Sequence, residues 1–254
     1  MHRLCLLLLA LAVNTQAAEL LLILDDIGNN KSLGERALAL PAPINLAFLP
    51  HTPEAQTLAE QAFKLGHGIM LHAPMESAHN NRLGPGGLHP DMSEQAFKTS
   101  LSQSLAAIPH VQGVNNHMGS FLTTQTQPMR WVMEVLQQNG LFFVDSLTAA
   151  RSVGYKEAQR AGIPSLRRDV FLDNDVSEKA LLTQYNEALL KAQQRGYAVL
   201  IGHPYPNTLD FLAQHLPKLP EQGIKLSRVD SFLNARLWQD FSRDHAKASR
   251  YELQ

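Results

Sequence analysis

The chain has 254 residues, enough for one large α/β domain or two small ones. Its composition, 44% apolar and 18% charged, is ordinary for a globular protein. A formal net charge of −1 argues against a nucleic-acid surface or a polybasic membrane anchor.

The first residues read as a leader. Met1-His2-Arg3 is a short basic start, Leu4 to Val13 is apolar, and Thr15-Gln16-Ala17-Ala18-Glu19 is rich in small residues. This is the layout of a secretory signal peptide over 1–18, with cleavage after Ala17 or Ala18. The apolar stretch is short for a span of about 20 residues. The reading therefore places a mature domain of 19–254 across the inner membrane, in the periplasm, with no stable membrane insertion once the leader is removed. Cys5, the one cysteine, lies in that leader. The mature chain then has no disulfide, and any metal site must be built from His, Asp or Glu.

From Leu20 onward, short apolar runs alternate with amphipathic stretches. The runs are Leu20–Leu24, Ile44–Leu49, Gly68–Leu71, Gly113–Asn115, Leu141–Val144, Val170–Leu172 and Ala198–Ile201. Between them the spacing predicts helices: Ser32 to Leu40, then one capped by Thr52 with Pro53 first and ending at Leu65. Others run from Ser93 to about Ile108, from Pro128 to Asn139, and from a Ser177 cap to just before Gly196. Asn207 is expected to cap Leu209 to Leu216, and Val229 to Trp238 to pack on the barrel. A polar tail follows from Gln239. Ser77 to Pro90 is a long Gly/Pro-rich loop, a common carrier of substrate contacts. Repeated strand–helix alternation without a break predicts a single βα barrel or a doubly wound parallel sheet.

The polar residues at the ends of these runs carry the functional signal. The first run stops at Asp25-Asp26 and the second at Pro50-His51. The third stops at His72-Ala73-Pro74-Met75-Glu76, the fourth at Asn115-Asn116-His117-Met118-Gly119-Ser120 and the fifth at Asp145-Ser146. Arg167-Arg168-Asp169 precedes the sixth and Asp173 follows it. Gly202-His203-Pro204 closes the seventh. In parallel α/β folds, such ends converge on one rim. Asp145 and Asp173, each taken alone, read as helix caps, and Arg167 to Asp169 as surface ion pairing. His72, His117 and His203 each follow a buried strand, where an imidazole needs a partner. Together with a paired carboxylate they point to a site. One carboxylate and two imidazoles suit a divalent metal with open positions for water and substrate. A second carboxylate can then serve as base, and a histidine on the far rim as acid.

These motifs, in this order, resemble the divergent branch of the polysaccharide deacetylases, the NodB-like carbohydrate esterase superfamily. The resemblance covers nearly the whole mature chain. It implies a single-domain, distorted (β/α)7 barrel and metal-dependent hydrolysis of N-acetyl groups on amino sugars of an envelope polysaccharide or peptidoglycan. It also implies a divalent metal, most simply Zn²⁺, and a carbohydrate partner. By resemblance Asp25 is the catalytic base, His203 the acid, and Asp26 and His72 are metal ligands. The family's second histidine position holds Glu76 here, so the third ligand is His117 from the next strand or Glu76. His117 is preferred because its flanking asparagines and glycine suggest a built site. Asn116, Asp145 and Asp169 are supporting candidates. The competing reading is a non-catalytic, metal-containing envelope protein that binds glycan or a partner through the same rim.

Overall fold

The computed structural model describes residues 17–79 and 81–239. The predicted leader, through residue 16, and the polar tail from 240 onward lie outside the described residues.

The apolar runs form the strands of one parallel sheet. These are β1 (Ala18–Ile27), β2 (Asn45–Phe48), β3 (Gly68–Met75), β4 (Gly113–Met118), β5 (Phe142–Asp145), β6 (Ser165–Arg167), β7 (Val170–Phe171), β8 (Tyr197–Gly202) and β9 (Ile224–Leu226). Their order is β6-β5-β4-β3-β2-β1-β8-β7, and β9 pairs with β1. The sheet curls into a half-barrel flanked by helices, as the barrel reading expects. Its two end strands, β6 and β7, are consecutive in the chain and separated only by Arg168-Asp169. β9 runs beside the first residues of β1, Ala18 to Leu20, below the point where β2 takes over at Ile23.

The helices are α1 (Lys31–Leu38), α2 (Ala55–Lys64), α3 (Glu94–Ala106), α4 (Thr126–Gln138), α5 (Gly154–Arg160), α6 (Glu178–Arg195) and α7 (Pro206–His215), with a further helix over 229–239. Ser93 and Ser177 cap α3 and α6 with their side chains, as their spacing predicts. Two expected caps are corrected. Thr52 does not start α2; its hydroxyl donates to the Leu49 carbonyl at 2.9 Å, and the helix begins after Glu54. The Glu54 N–H is held by the Gly28 carbonyl, so the chain completes a turn before it can wind. Asn207 lies inside α7, because Pro206, with its φ preset for a first helical position, starts the helix one residue earlier. The Asn207 amide instead donates to the Val176 carbonyl at 3.3 Å.

Because side chains alternate along a strand, each strand feeds two cores. Leu20, Leu22 and Leu24 face outward with Phe143 and Leu200, onto helix residues such as Ala59, Phe97 and Met133. Leu21 and Ile23 face inward with Ala47, Met70, Val144, Leu166, Val199 and Ile201. The helix over 229–239 plugs the lower mouth with Val229, Phe232 and Leu233. Asn45 fastens that plug, accepting from the Val229 N–H at 2.9 Å and donating to the Leu22 carbonyl at 2.9 Å. The apolar filling leaves the upper, C-terminal rim as the place where inward positions turn polar. Continuing the inward parity upward gives Asp25 on β1, His72 on β3, Asn115 on β4 and His203 after β8.

Candidate active site

Adjacent residues on a regular strand point to opposite faces, so Asp25 and Asp26 should not share a site. A break in the strand brings them together. The β1–β2 register shifts between Leu24 and Ile27, and Asp26 has a left-handed backbone, φ 59°. Such bulges re-aim side chains at the rims of barrels. Aspartate tolerates this conformation better than most residues. Both carboxylates therefore face the rim. Gly28, at φ 128°, then turns the chain against Thr52 and Ala55.

Asp26 gathers three histidines. Its Oδ1 lies 2.9 Å from His117 Nδ1 and 3.3 Å from His72 Nε2, and its Oδ2 lies 3.9 Å from His203 Nε2. Asp25 is deeper, 2% exposed, with Oδ2 at 3.6 Å from the same His72 nitrogen. Burial pushes the Asp25 carboxyl above its ordinary value, against the pull of His72, His203 and Asn115. Burial acts the same way on Asp26, but the hydrogen bonds and charges of His117 and His72 outweigh it and hold this carboxyl well below the usual range. For His72, burial disfavours the charged ring. The Asp25 charge and the contacts with Asp26 and Asn115 override it, pushing the imidazole up to about 9.

The donor set fits a metal ion. Ligand atoms of Asp26, His72 and His117 all lie within 4.8 Å of one another. Asp26 Oδ1 is buried yet receives no well-aligned hydrogen bond, although two ring nitrogens stand close to it. Two imidazole nitrogens close to one buried carboxylate oxygen are suited to bind a single ion together with it. A carboxylate and two imidazoles form a three-ligand set that leaves coordination open, the pattern of catalytic rather than structural sites.

His203 sits opposite, clamped from behind. Its Nδ1 is 3.0 Å from Asp173 Oδ1, and its backbone N–H donates to Asp173 Oδ2 at 2.6 Å. Thr208 from α7 donates to the same oxygen at 2.9 Å. Burial lowers the His203 pKa, but the Asp173 hydrogen bond and the Asp25 charge more than compensate, so it stands above its ordinary value. Phe171 and Tyr205 flank the ring, with centroids at 5.3 and 5.4 Å.

The supporting candidates lie elsewhere. Glu76 is paired with His89 of the long loop, Oε2 to Nδ1 at 2.6 Å, and is outside the group formed by Asp26, His72 and His117. Asn116 props the neighbouring turn: it accepts from the Ser146 N–H at 2.9 Å and donates to the Met118 carbonyl at 2.7 Å. Asp145 points outward, accepting from Leu147 N–H, the Ser152 hydroxyl and Tyr155 N–H, which shapes the entry to α5. Asp169 lies below the rim at the level of Val199, accepting from its N–H at 2.9 Å and pairing with Arg195 at 2.7 Å. Three residues drew no individual role from the sequence. Asp173, taken alone, reads as a helix cap, while Asn115 and Arg168 stand only as members of run-end motifs. In the fold Arg168 instead donates to the Ser146 and Leu147 carbonyls at 2.7 and 2.9 Å.

Among the described residues no helix is long and apolar enough to cross a membrane. The protein is 34% identical to the uncharacterized protein YibQ of Escherichia coli (strain K12) over 227 residues, 89% of this chain and 71% of that one. The fold is similar to the crystal structure of an uncharacterized protein from Agrobacterium tumefaciens C58, with a TM-score of 0.82 at 22% identity, covering 86% of this chain and 90% of that one. It is also similar to a structure described as T48 deacetylase with substrate, with a TM-score of 0.50 at 16% identity, covering 86% and 92% of the two chains. The sequence profile of the divergent polysaccharide deacetylases matches residues 22–233, and the chain belongs to that family.

Proposed function

We propose that the protein is a secreted, periplasmic, metal-dependent hydrolase that removes N-acetyl groups from amino sugars of envelope polysaccharide or peptidoglycan. The observation that carries this reading is the convergence of His72 and His117 on one oxygen of Asp26, with a second carboxylate, Asp25, beside them. Asp26, His72 and His117 would hold the ion. Mixed N and O donors without sulfur suit Zn²⁺. When bound, such an ion polarises an amide carbonyl and eases ionisation of a water molecule.

The chain's own groups supply the proton transfers. One oxygen of Asp25 is held by Asn115 at 2.7 Å, which leaves Oδ2 on the side of His72 to take a proton from the attacking water. Water oxygen adds to the acetyl carbon as that proton leaves. Collapse breaks the C–N bond, and the amine, a poor leaving group as its anion, takes a proton from His203. Asp173 occupies Nδ1 of that ring, so Nε2 is the face turned toward Asp26 and the reacting centre. The products are acetate and a free amino sugar.

The test is acetate release from chitooligosaccharides and N-acetylated peptidoglycan fragments by the zinc-loaded chain. Turnover is expected, lost on chelation, and lost in Asp25→Asn with the metal retained. Metal binding without acetate release from any of these glycans would instead support a non-catalytic envelope protein that uses the rim for binding.

A further inference from the structure

We infer that Asn115 is a positioning residue that ties the base to the metal set, fixing at once the ring tautomer of His72 and the free oxygen of Asp25. The inference rests on the metal-site reading above and goes beyond it. Asn115 lies on β4, in register with His72 on β3, and is 0% exposed. Its amide nitrogen is 2.7 Å from Asp25 Oδ1 and 3.3 Å from Ser146 Oγ, and its carbonyl oxygen is 2.8 Å from His72 Nδ1.

The orientation of the carboxamide follows from its neighbours. A carboxylate only accepts hydrogen bonds, so the NH₂ group must face Asp25. Its oxygen is then turned to His72, whose Nδ1 must carry the hydrogen. The lone pair of the neutral ring is left on Nε2, the nitrogen 3.3 Å from Asp26 Oδ1. A single buried side chain thus sets the ligand nitrogen and leaves Asp25 Oδ2 unengaged by the amide. Without it, His72 could present either nitrogen, and Asp25 could turn.

Two substitutions separate these arms. Asn115→Leu keeps the branched shape, with somewhat larger methyl ends, and removes both. Asn115→Asp keeps an acceptor for His72 Nδ1 and replaces the amide donor with a carboxyl group that must share a proton with Asp25 at that distance. Zn²⁺ affinity is measured by chelator competition, with thermal melting as the control for folding. Asn115→Leu is expected to weaken zinc about 10- to 100-fold, the usual effect of losing a group that orients a ligand histidine. Asn115→Asp, which keeps the acceptor that orients His72, is expected to escape that loss. A folded Asn115→Leu with unchanged affinity overturns the inference. A folded Asn115→Asp that loses zinc tenfold or more also overturns it, and this arm stands alone if the leucine variant does not fold. A parent chain that takes up no zinc overturns the metal-site reading itself, a result distinct from either variant's.

Discussion

His203 Nδ1 lies 3.0 Å from Asp173 Oδ1, and the other oxygen of Asp173 accepts from the His203 backbone N–H. One carboxylate therefore fixes both the ring and the chain that carries it. Thr208, fully buried on α7, closes the clamp. This leaves Nε2 free to serve as the proposed acid. His203→Gln is expected to lower kcat by about 10²- to 10⁴-fold, the usual range for a general acid. Asp173→Asn is expected to lower kcat by about 10- to 100-fold, since the ring stays in place but loses its charged partner. In both variants metal content should be unchanged, which steady-state kinetics and elemental analysis together would show. Loss of metal in Asp173→Asn would contradict the separation of acid and ligands.

The turn after the aspartate pair is sterically sealed. A Cβ built on Gly28 would come within 2.1 Å of Thr52 Oγ1 and 3.2 Å of the Ala55 Cβ, at a φ of 128° that L-residues rarely adopt. Gly28→Ala is expected to cost about 1–3 kcal/mol of stability, measured by denaturant unfolding. It should also shift Asp26, so zinc affinity should fall with stability. An alanine variant as stable as the parent would show that this turn relaxes more easily than the geometry implies.

His67 predicts an acid sensitivity that is independent of the metal. It is buried, accepting from the Ile44 N–H at 3.3 Å and bonded through Nε2 to the Leu38 carbonyl at 3.1 Å. Burial, the largest influence, lowers its pKa from the ordinary 6.5 despite those bonds. Below 6.5 the unfolded chain therefore binds a proton that the folded chain resists, and stability falls as the pH drops through and below that value. His67→Gln can keep both hydrogen bonds and has no proton to take up. Its unfolding midpoint should change less between about pH 7.5 and about pH 5, which bracket the ordinary histidine value. Equal slopes in parent and variant would assign the acid sensitivity to other groups.

The long apolar strands were legible because burial on both faces forces continuous hydrophobic runs. β6 and β9 were not: each has three residues, and Ser165-Leu166-Arg167 buries only Leu166. Polar residues interrupt both, whereas β7, with only two residues, was legible because Val170-Phe171-Leu172 is an unbroken apolar run. Within the site, Asp25, Asp26, His72, His117 and His203 stood out because charged or imidazole groups rarely end buried strands. Asp173 and Asn115 did not, since a lone aspartate after a strand and an asparagine within one have common structural uses. Their meaning comes from register and from distance, His72 opposite Asn115 and Asp173 behind His203, which one-dimensional spacing does not encode. The bulge that turns Asp26 inward is equally silent in sequence.

The most direct test of the account is metal content per chain after zinc loading of the parent, His117→Ala and Glu76→Ala. His117 Nδ1 is 2.9 Å from Asp26 Oδ1, whereas Glu76 is engaged by His89. The account predicts one ion per chain in the parent and in Glu76→Ala, and loss of the ion in His117→Ala. Retention of the ion in His117→Ala with loss in Glu76→Ala would contradict it.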